Sequence, residues 1–337
     1  MARDTNRIEA RLLGAGLCVA LCCAAAAARA QKPAAPLPGG YPAKAVRVLV
    51  GTSPGGGVDT ITRGVAQKLT EQWGQSFVVE NRTGGGGVLA VTLLAQAAPD
   101  GYTLYGGGSQ VITATPLNKV PFDTRVVLQP VAQMTASWYL MLVHPSLPVK
   151  TVKEFIALAT RRPGTLNYGS AGTGSATHLG GELFRSRTGI DIMHIPYKGT
   201  GQSLIDLIAG QTQMVFASSI SGSPHVRSGR ARAIAVTSLK RLQAYSDVPT
   251  VSESGVPGFE LDNIYGIYAP AGVPPAIVAA LNREIVQIIH APEMRGRITA
   301  DGADPAPLNT PAEFKDRFAA QIAMWDKFIK SSGIKVD

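Results

Sequence analysis

Past its first forty residues the chain alternates short apolar runs with longer stretches in which apolar residues recur every three or four positions, and glycine-rich turns separate the two. The first run, Val46 to Val50, reads as a buried strand and breaks into Ser53-Pro54-Gly55-Gly56-Gly57-Val58-Asp59. A helical stripe of Ile61, Val65, Leu69 and Trp73 follows. Phe77 to Val79 passes through Glu80-Asn81-Arg82-Thr83 into Gly84-Gly85-Gly86-Gly87 and a second helical stretch, and Tyr102 to Tyr105 ends in Gly106-Gly107-Gly108-Ser109. From Tyr41 to about Asn118 the pattern is strand, helix, strand, helix, strand, which predicts right-handed crossovers and a parallel sheet. Ser137 to Val143 closes this section as a further strand.

The same grammar then repeats. Thr151 and Glu154 have the spacing of a capping box ahead of Phe155, Ile156 and Leu158. Leu166 to Tyr168 leads into Gly169-Ser170-Ala171-Gly172-Thr173-Gly174-Ser175 and a helix carrying His178, Leu179, Leu183 and Phe184. Ile192 to Ile195 leads into Pro196-Tyr197-Lys198-Gly199-Thr200-Gly201 and another helix, Met214 to Phe216 ends at Ala217-Ser218-Ser219, and Ala231 to Thr237 is a fourth strand. Ile264 to Tyr268 is strand-like again, and Pro274 to His290 and Pro311 to Ile329 are helical. These runs predict an α/β chain of two domains. The first is split between 41–145 and 263–337, the second is continuous over 146–262, and the chain crosses a hinge near 145 and near 262.

Glycines at a strand-to-helix turn leave amide groups uncovered where the helix dipole is positive, which suits an anion. Facing domains would set such turns across a cleft. Nucleotide readings fail on detail: no Gly-Lys-Ser/Thr follows Gly55-Gly56-Gly57, and Thr60 stands where a dinucleotide fingerprint needs its last glycine. Asp59, in the first turn of its helix, reads as a cap, with orientation of a cleft water as the functional alternative. Lys198 is either a solvated side chain or a cation at the site. Ser175 and His178 invite a nucleophile–base reading, against which stand the lack of a G-x-S-x-G elbow around Ser175 and of a carboxylate to orient the histidine. The remaining histidines, His144, His194, His225 and His290, lack metal-ligand spacing, so neither metal nor cofactor is expected.

Residues 1–30 read as an export signal: Arg3, Arg7 and Arg11 precede an apolar run from Leu12 to Ala28, and Ala28-Arg29-Ala30 offers a cleavage site. Residues 31–40 read as an extended linker. All three cysteines, Cys18, Cys22 and Cys23, lie in the leader, so the mature chain is expected to use neither disulfides nor thiol chemistry. The leader carries four basic and two acidic residues, which leaves 28 basic and 21 acidic and lowers the formal charge from +9 to +7. The basic residues are scattered and do not alternate with aromatics, which argues against nucleic acid. A positive surface is compatible with small anions.

Taken in order, Tyr41-Pro42, Ser53-Pro54-Gly55-Gly56-x-x-Asp59, Glu80-Asn81-Arg82, Pro99-Asp100-Gly101-Tyr102-Thr103-Leu104, His144-Pro145-Ser146-Leu147, Leu166-Asn167-Tyr168-Gly169-Ser170-Ala171-Gly172, Pro196-Tyr197-Lys198-Gly199, Asp247-Val248-Pro249-Thr250 and Ala269-Pro270-Ala271-Gly272 resemble the Bug-type substrate-binding proteins of tripartite tricarboxylate transporters. The resemblance runs from about Tyr41 to Asp337. It implies a periplasmic-binding-protein clamshell of Venus-flytrap, type II-like form, each domain a mixed, mostly parallel sheet flanked by helices. It also implies a periplasmic, non-catalytic, monomeric protein that passes a small carboxylate to membrane carrier subunits or serves a sensor kinase.

Carried over residue by residue, the family's ligand turns match Ser53, Pro54, Gly55, Gly56, Gly57 and Asp59, then Gly84 and Gly85, then Gly107 and Ser109. The selectivity loops match Ser170, Ala171, Thr173 and Ser175, then Tyr197, Lys198 and Gly199, then Ala217 and Ser218. Three positions depart from the family pattern: Ala217 replaces a frequent Asp, Ile264 a Trp and Thr83 a Pro. The loss of the Asp weighs against an amino-acid ligand. The rival reading from another class is an exported hydrolase built on Ser175 and His178.

Overall fold

The computed structural model describes residues 40–117 and 120–332. The expected export signal and nearly all of the linker lie outside the described residues. In chain order the elements are β1 (Val46–Val50), α1 (Gly57–Trp73), β2 (Phe77–Asn81), α2 (Val88–Ala95), β3 (Thr103–Gly107), α3 (Ser109–Thr113), α4 (Thr124–Val127) and β4 (Leu128–Val143). Then come α5 (Val152–Arg161), β5 (Asn167–Ser170), α6 (Ala176–Thr188), β6 (Met193–Pro196), α7 (Thr200–Ile208), β7 (Met214–Ser218), α8 (Ser219–Arg227) and β8 (Arg232–Val236). The chain ends with β9 (Asp262–Pro270), α9 (Pro275–His290), α10 (Pro292–Ala300), β10 (Asp304–Pro305) and α11 (Pro311–Ser332).

Local chemistry sets the helix ends. Helix α1 starts after Gly56 with Asp59 in its first turn and stops at Gly74 in the left-handed conformation. The Thr151–Glu154 capping box forms at α5, while Ser175 and Ser218 cap α6 and α8 through their hydroxyls.

Two sheets share one long strand. In the first lobe β2, β1 and β3 are parallel, and β9 and β4 continue the sheet antiparallel, with the two-residue β10 on the far edge of β4. In the second lobe β7, β5 and β6 are parallel, and the end of β4 lies between β7 and β8, antiparallel to both. The partners of β4 change between Trp138, which pairs with Asp262, and Tyr139, which pairs with Ser218. The hand-over therefore lies inside a continuous strand and ahead of residue 145. Leu128 to Ala136 also belongs to this strand, although only Ser137 to Val143 reads as one in the sequence. Pro130 and two register shifts blur the alternation of the first half.

Alternation along the shared strands separates the cores. Tyr139, Met141 and Val143 of β4 and Met214 and Phe216 of β7 join the largest cluster, which also holds Phe155, Phe184, Phe259 and Tyr268. Their neighbours Leu140, Leu142, Val215 and Ala217 point to the other face and pack with Leu204, Leu207 and Val236. A separate cluster around Val48, Ile61, Val65, Leu69, Leu281 and Ile285 fills the first lobe beneath α1 and α9.

Candidate functional site

The turn after β1 projects from the first lobe, with Thr52 and Ser53 buried at its base. Thr52 Oγ1 and Ser53 Oγ have no hydrogen-bond partner among the described residues. Asp59, only 3% exposed, accepts from Gly55 N at 3.1 Å, from Asn81 Nδ2 at 2.9 Å and from Arg63 Nε at 3.0 Å. Its carboxylate thus ties the turn to β2 and to the next turn of α1. Ser109, which begins α3, accepts from the Ala176 amide of the second lobe at 3.2 Å.

Opposite stands the loop from β5 to α6, held in shape by its own polar groups. Ser175 Oγ donates to the Gly172 carbonyl at 2.6 Å and Ala171 N donates to Thr177 Oγ1 at 2.9 Å. Gly174 N donates to His178 Nδ1 at 3.0 Å. These bonds give Ser175 and His178 capping and loop-bracing partners, the reverse of what a nucleophile and its base require.

The hinge strands supply the floor. Tyr139 OH donates to Asn263 Oδ1 at 3.0 Å, and the Tyr265 hydroxyl lies beside Asn263 and Ser218. Burial raises the ionisation of both tyrosines above the ordinary range, so they stay neutral hydroxyls.

These parts enclose a cavity of about 20 Å³ lined by Thr52, Gly56, Gly57, Val58, Ser109, Gln110, Tyr139, Ala171, Ser175, Thr177, Thr200, Asn263 and Tyr265. Such a space is on the scale of one or two waters. Among the described residues no carboxylate, histidine, lysine or arginine lines the cavity, and its polar groups are hydroxyls, amides and main-chain N–H groups. Such donors replace the hydration of an anion without a buried counter-charge. Two larger grooves lie elsewhere, one of about 370 Å³ beside Arg125 and Lys315, the other of about 390 Å³ between α6 and α11. Neither gathers the glycine turns.

Of the residues singled out in the sequence, Gly56, Gly57, Ser109, Ala171 and Ser175 line this cavity. Ser53, Pro54, Lys198 and Gly199 meet one another beside it, and the Lys198 side chain is exposed. Gly84 and Gly85 lie on the outer part of the β2–α2 turn, and Gly107 is buried at the end of β3. Ser170 Oγ contacts His194 Nε2 at 2.6 Å behind the loop, and Thr173 is half-buried on the loop itself. Tyr197 donates to Asp206 Oδ2 at 2.7 Å, while the Ala217 methyl is buried in the core on the other face of β7. Sequence reasoning missed Thr52, Gln110, Tyr139, Thr177, Asn263 and Tyr265. Thr52 and Gln110 carried a usable signal, since each is a polar residue beside a glycine turn already singled out.

Two lobes on shared hinge strands, with anion-suited turns facing across a closed cleft, define a solute-binding receptor. The model of the TctC family, the "Tripartite tricarboxylate transporter family receptor", matches residues 61–334, and the chain belongs to this Bug-type family. BugT of Bordetella pertussis is 34% identical over 303 residues, 88% of this chain and 91% of BugT. Among solved structures, Rhodopseudomonas palustris Rpa4515 with adipate aligns at TM-score 0.83 and 33% identity, over 87% of this chain and 99% of that one. MatC from the same organism, with bound malate, aligns at TM-score 0.81 and 31% identity, over 85% and 99%.

Proposed function

We propose that this chain is a periplasmic receptor that closes around a small carboxylate in the interlobe cavity and delivers it to the membrane carrier of a tripartite tricarboxylate-type transporter. In this reading the ligand carboxylate takes the main-chain donors of the Gly56–Gly57 turn and the hydroxyls of Thr52 and Ser109. Tyr139, Thr177, Asn263 and Tyr265 meet the remainder of the molecule. In this reading the lobes are those of the two sheets, which change over on β4 between Trp138 and Tyr139, and the ligand shifts the balance from open to closed. The protein works without catalysis and as a monomer, and the leader directs its export.

The observation that carries the proposal is the buried, unpartnered hydroxyl of Thr52 in an uncharged cavity between two lobes. Adipate and malate in two similar proteins support the ligand class. The absence of a carboxylate from the cavity lining counts against amino acids, because a buried ammonium would stand unpaired.

Native mass spectrometry of the purified chain, followed by thermal shift against C3 to C8 mono- and diacids including malate and adipate, tests it. Stabilisation that rises with acid concentration is the expected result. Tight binding of a neutral sugar with no competition from acids would overturn the proposal.

A further inference from the structure

The lobes meet main chain to main chain at the entrance to α7. Ser53 N donates to the Lys198 carbonyl at 3.1 Å, a peptide hydrogen bond between the β1–α1 turn of one lobe and the β6–α7 turn of the other. Beside it, a Cβ on Gly199 would lie 2.5 Å from both Ser53 N and Ser53 Oγ. A Cβ on Gly201 would overlap the Pro54 carbonyl oxygen and come within 3.3 Å of Gly56 N. The obstacle in each case includes backbone, which cannot swing aside as a flexible side chain can. Elsewhere in the cleft glycines also face the other lobe: a Cβ on Gly172 would sit 3.2 Å from Gly86 Cα, and one on Gly57 would overlap the Ser218 hydroxyl.

We infer that Gly199 and Gly201 form an interlobe latch, a contact open only to glycine, through which the second lobe docks on the Ser53–Gly56 turn and holds a closed population even without ligand. Backbone rather than side chains then sets how near the lobes come. Thr200, between the two glycines, lines the cavity, so the latch also fixes the size of ligand that a closed cleft accepts. That last consequence rests on the carboxylate-receptor reading; the latch itself does not.

Gly201 separates closure from folding. It lies inside the first turn of α7 without a positive φ, so alanine or leucine there suits the helix while its side chain props the lobes apart. Gly199, at φ +153°, would confound the two effects.

Small-angle X-ray scattering of the ligand-free chain decides the matter, using wild type, Gly201→Ala, Gly201→Leu and Ile205→Ala. Ile205 is exposed on the same helix one turn on and serves as the control. The radius of gyration is expected to grow from Gly201 to Ala to Leu, with Ile205→Ala matching wild type and Gly201→Ala unfolding no earlier on heating. Identical scattering from all four proteins overturns the latch, and so does early unfolding of Gly201→Ala at unchanged dimensions. Malate and adipate are then titrated into the same set. For a diacid that wild type binds, Gly201→Ala is expected to lose roughly ten-fold in affinity, as the closure-competent fraction falls by that factor. If wild type binds no acid of the C3 to C8 panel but the graded expansion is seen, the carboxylate reading fails and the latch stands.

Discussion

The imidazole rings of His178 and His194 lie stacked with centroids 4.0 Å apart and planes 29° from parallel, directly behind the loop that walls the second lobe of the cleft. Each ring braces that loop. His178 accepts the Gly174 amide, and His194 pairs with Ser170, whose hydroxyl also takes the Gly172 amide at 3.0 Å. Such a stack is stable while both rings are neutral. Burial, then the neighbouring His178, lowers His194 to about 4, with Arg185 acting in the same direction and Glu182 against it.

Acidification is therefore expected to weaken the fold through this pair. The unfolded chain takes up the His194 proton near pH 6.5 and the folded chain only near pH 4, so between those values the unfolded state binds more protons. The stabilisation is complete above about pH 6.5 and is lost as the pH falls towards 4. His194 is partly exposed, and solvent screening leaves about 1–2 kcal/mol. Urea unfolding of wild type and His194→Gln at neutral pH and near pH 4.5 checks this: the substitution should flatten the pH dependence. An equal loss in both proteins would remove His194 from the account.

Asp59 offers a sharper test of cap against ligand contact. Replacement by alanine removes the shared acceptor of the Gly55 amide, Asn81 and Arg63, while Asn81 keeps the Thr52 carbonyl and Arg63 keeps Asn81, which should cost about 1–3 kcal/mol of stability, with the turn and its ligand affinity weakened together. Asp59→Asn keeps the shape and one acceptor, and should fall between wild type and alanine in both measurements. A variant that unfolds like wild type but no longer binds acid would instead give the carboxylate a direct role at the ligand.

What the sequence revealed was local. The Thr151–Glu154 box needed only a four-residue spacing, and both of its bonds form: Glu154 N donates to Thr151 Oγ1 and Thr151 N donates to Glu154 Oε2, each at 3.2 Å. Thr151→Ala should cost about 1 kcal/mol, read as a lower unfolding midpoint with unchanged ligand affinity. Glycine turns were legible in the same way, because a strand that breaks into three glycines signals its backbone at once. The cleft floor was not. Tyr139 and Asn263 stand 124 positions apart and meet only because β4 and β9 pair across the hinge. Ala217 shows the complementary limit: it follows a recognisable motif, yet the pleat of β7 turns its methyl into the core.

The hinge pair Tyr139–Asn263 should behave as one unit. Asn263 accepts the tyrosine hydroxyl through Oδ1 and donates through Nδ2 to Ser137 Oγ at 3.1 Å, and the serine in turn donates to the Asn263 carbonyl at 3.2 Å. All three residues are buried, so removing one partner leaves the others unsatisfied. Tyr139→Phe is expected to cost about 1–2 kcal/mol and Asn263→Ala somewhat more. The double variant should cost less than the two together, by about 0.5–1 kcal/mol, since the second change removes a group the first had already left unpaired. Tyr139 and Asn263 both line the cavity, so the same cycle repeated on acid-induced stabilisation should also depart from additivity. Additive costs in unfolding would separate the two side chains, and additive costs in binding would mean that they meet the ligand independently of their mutual bond.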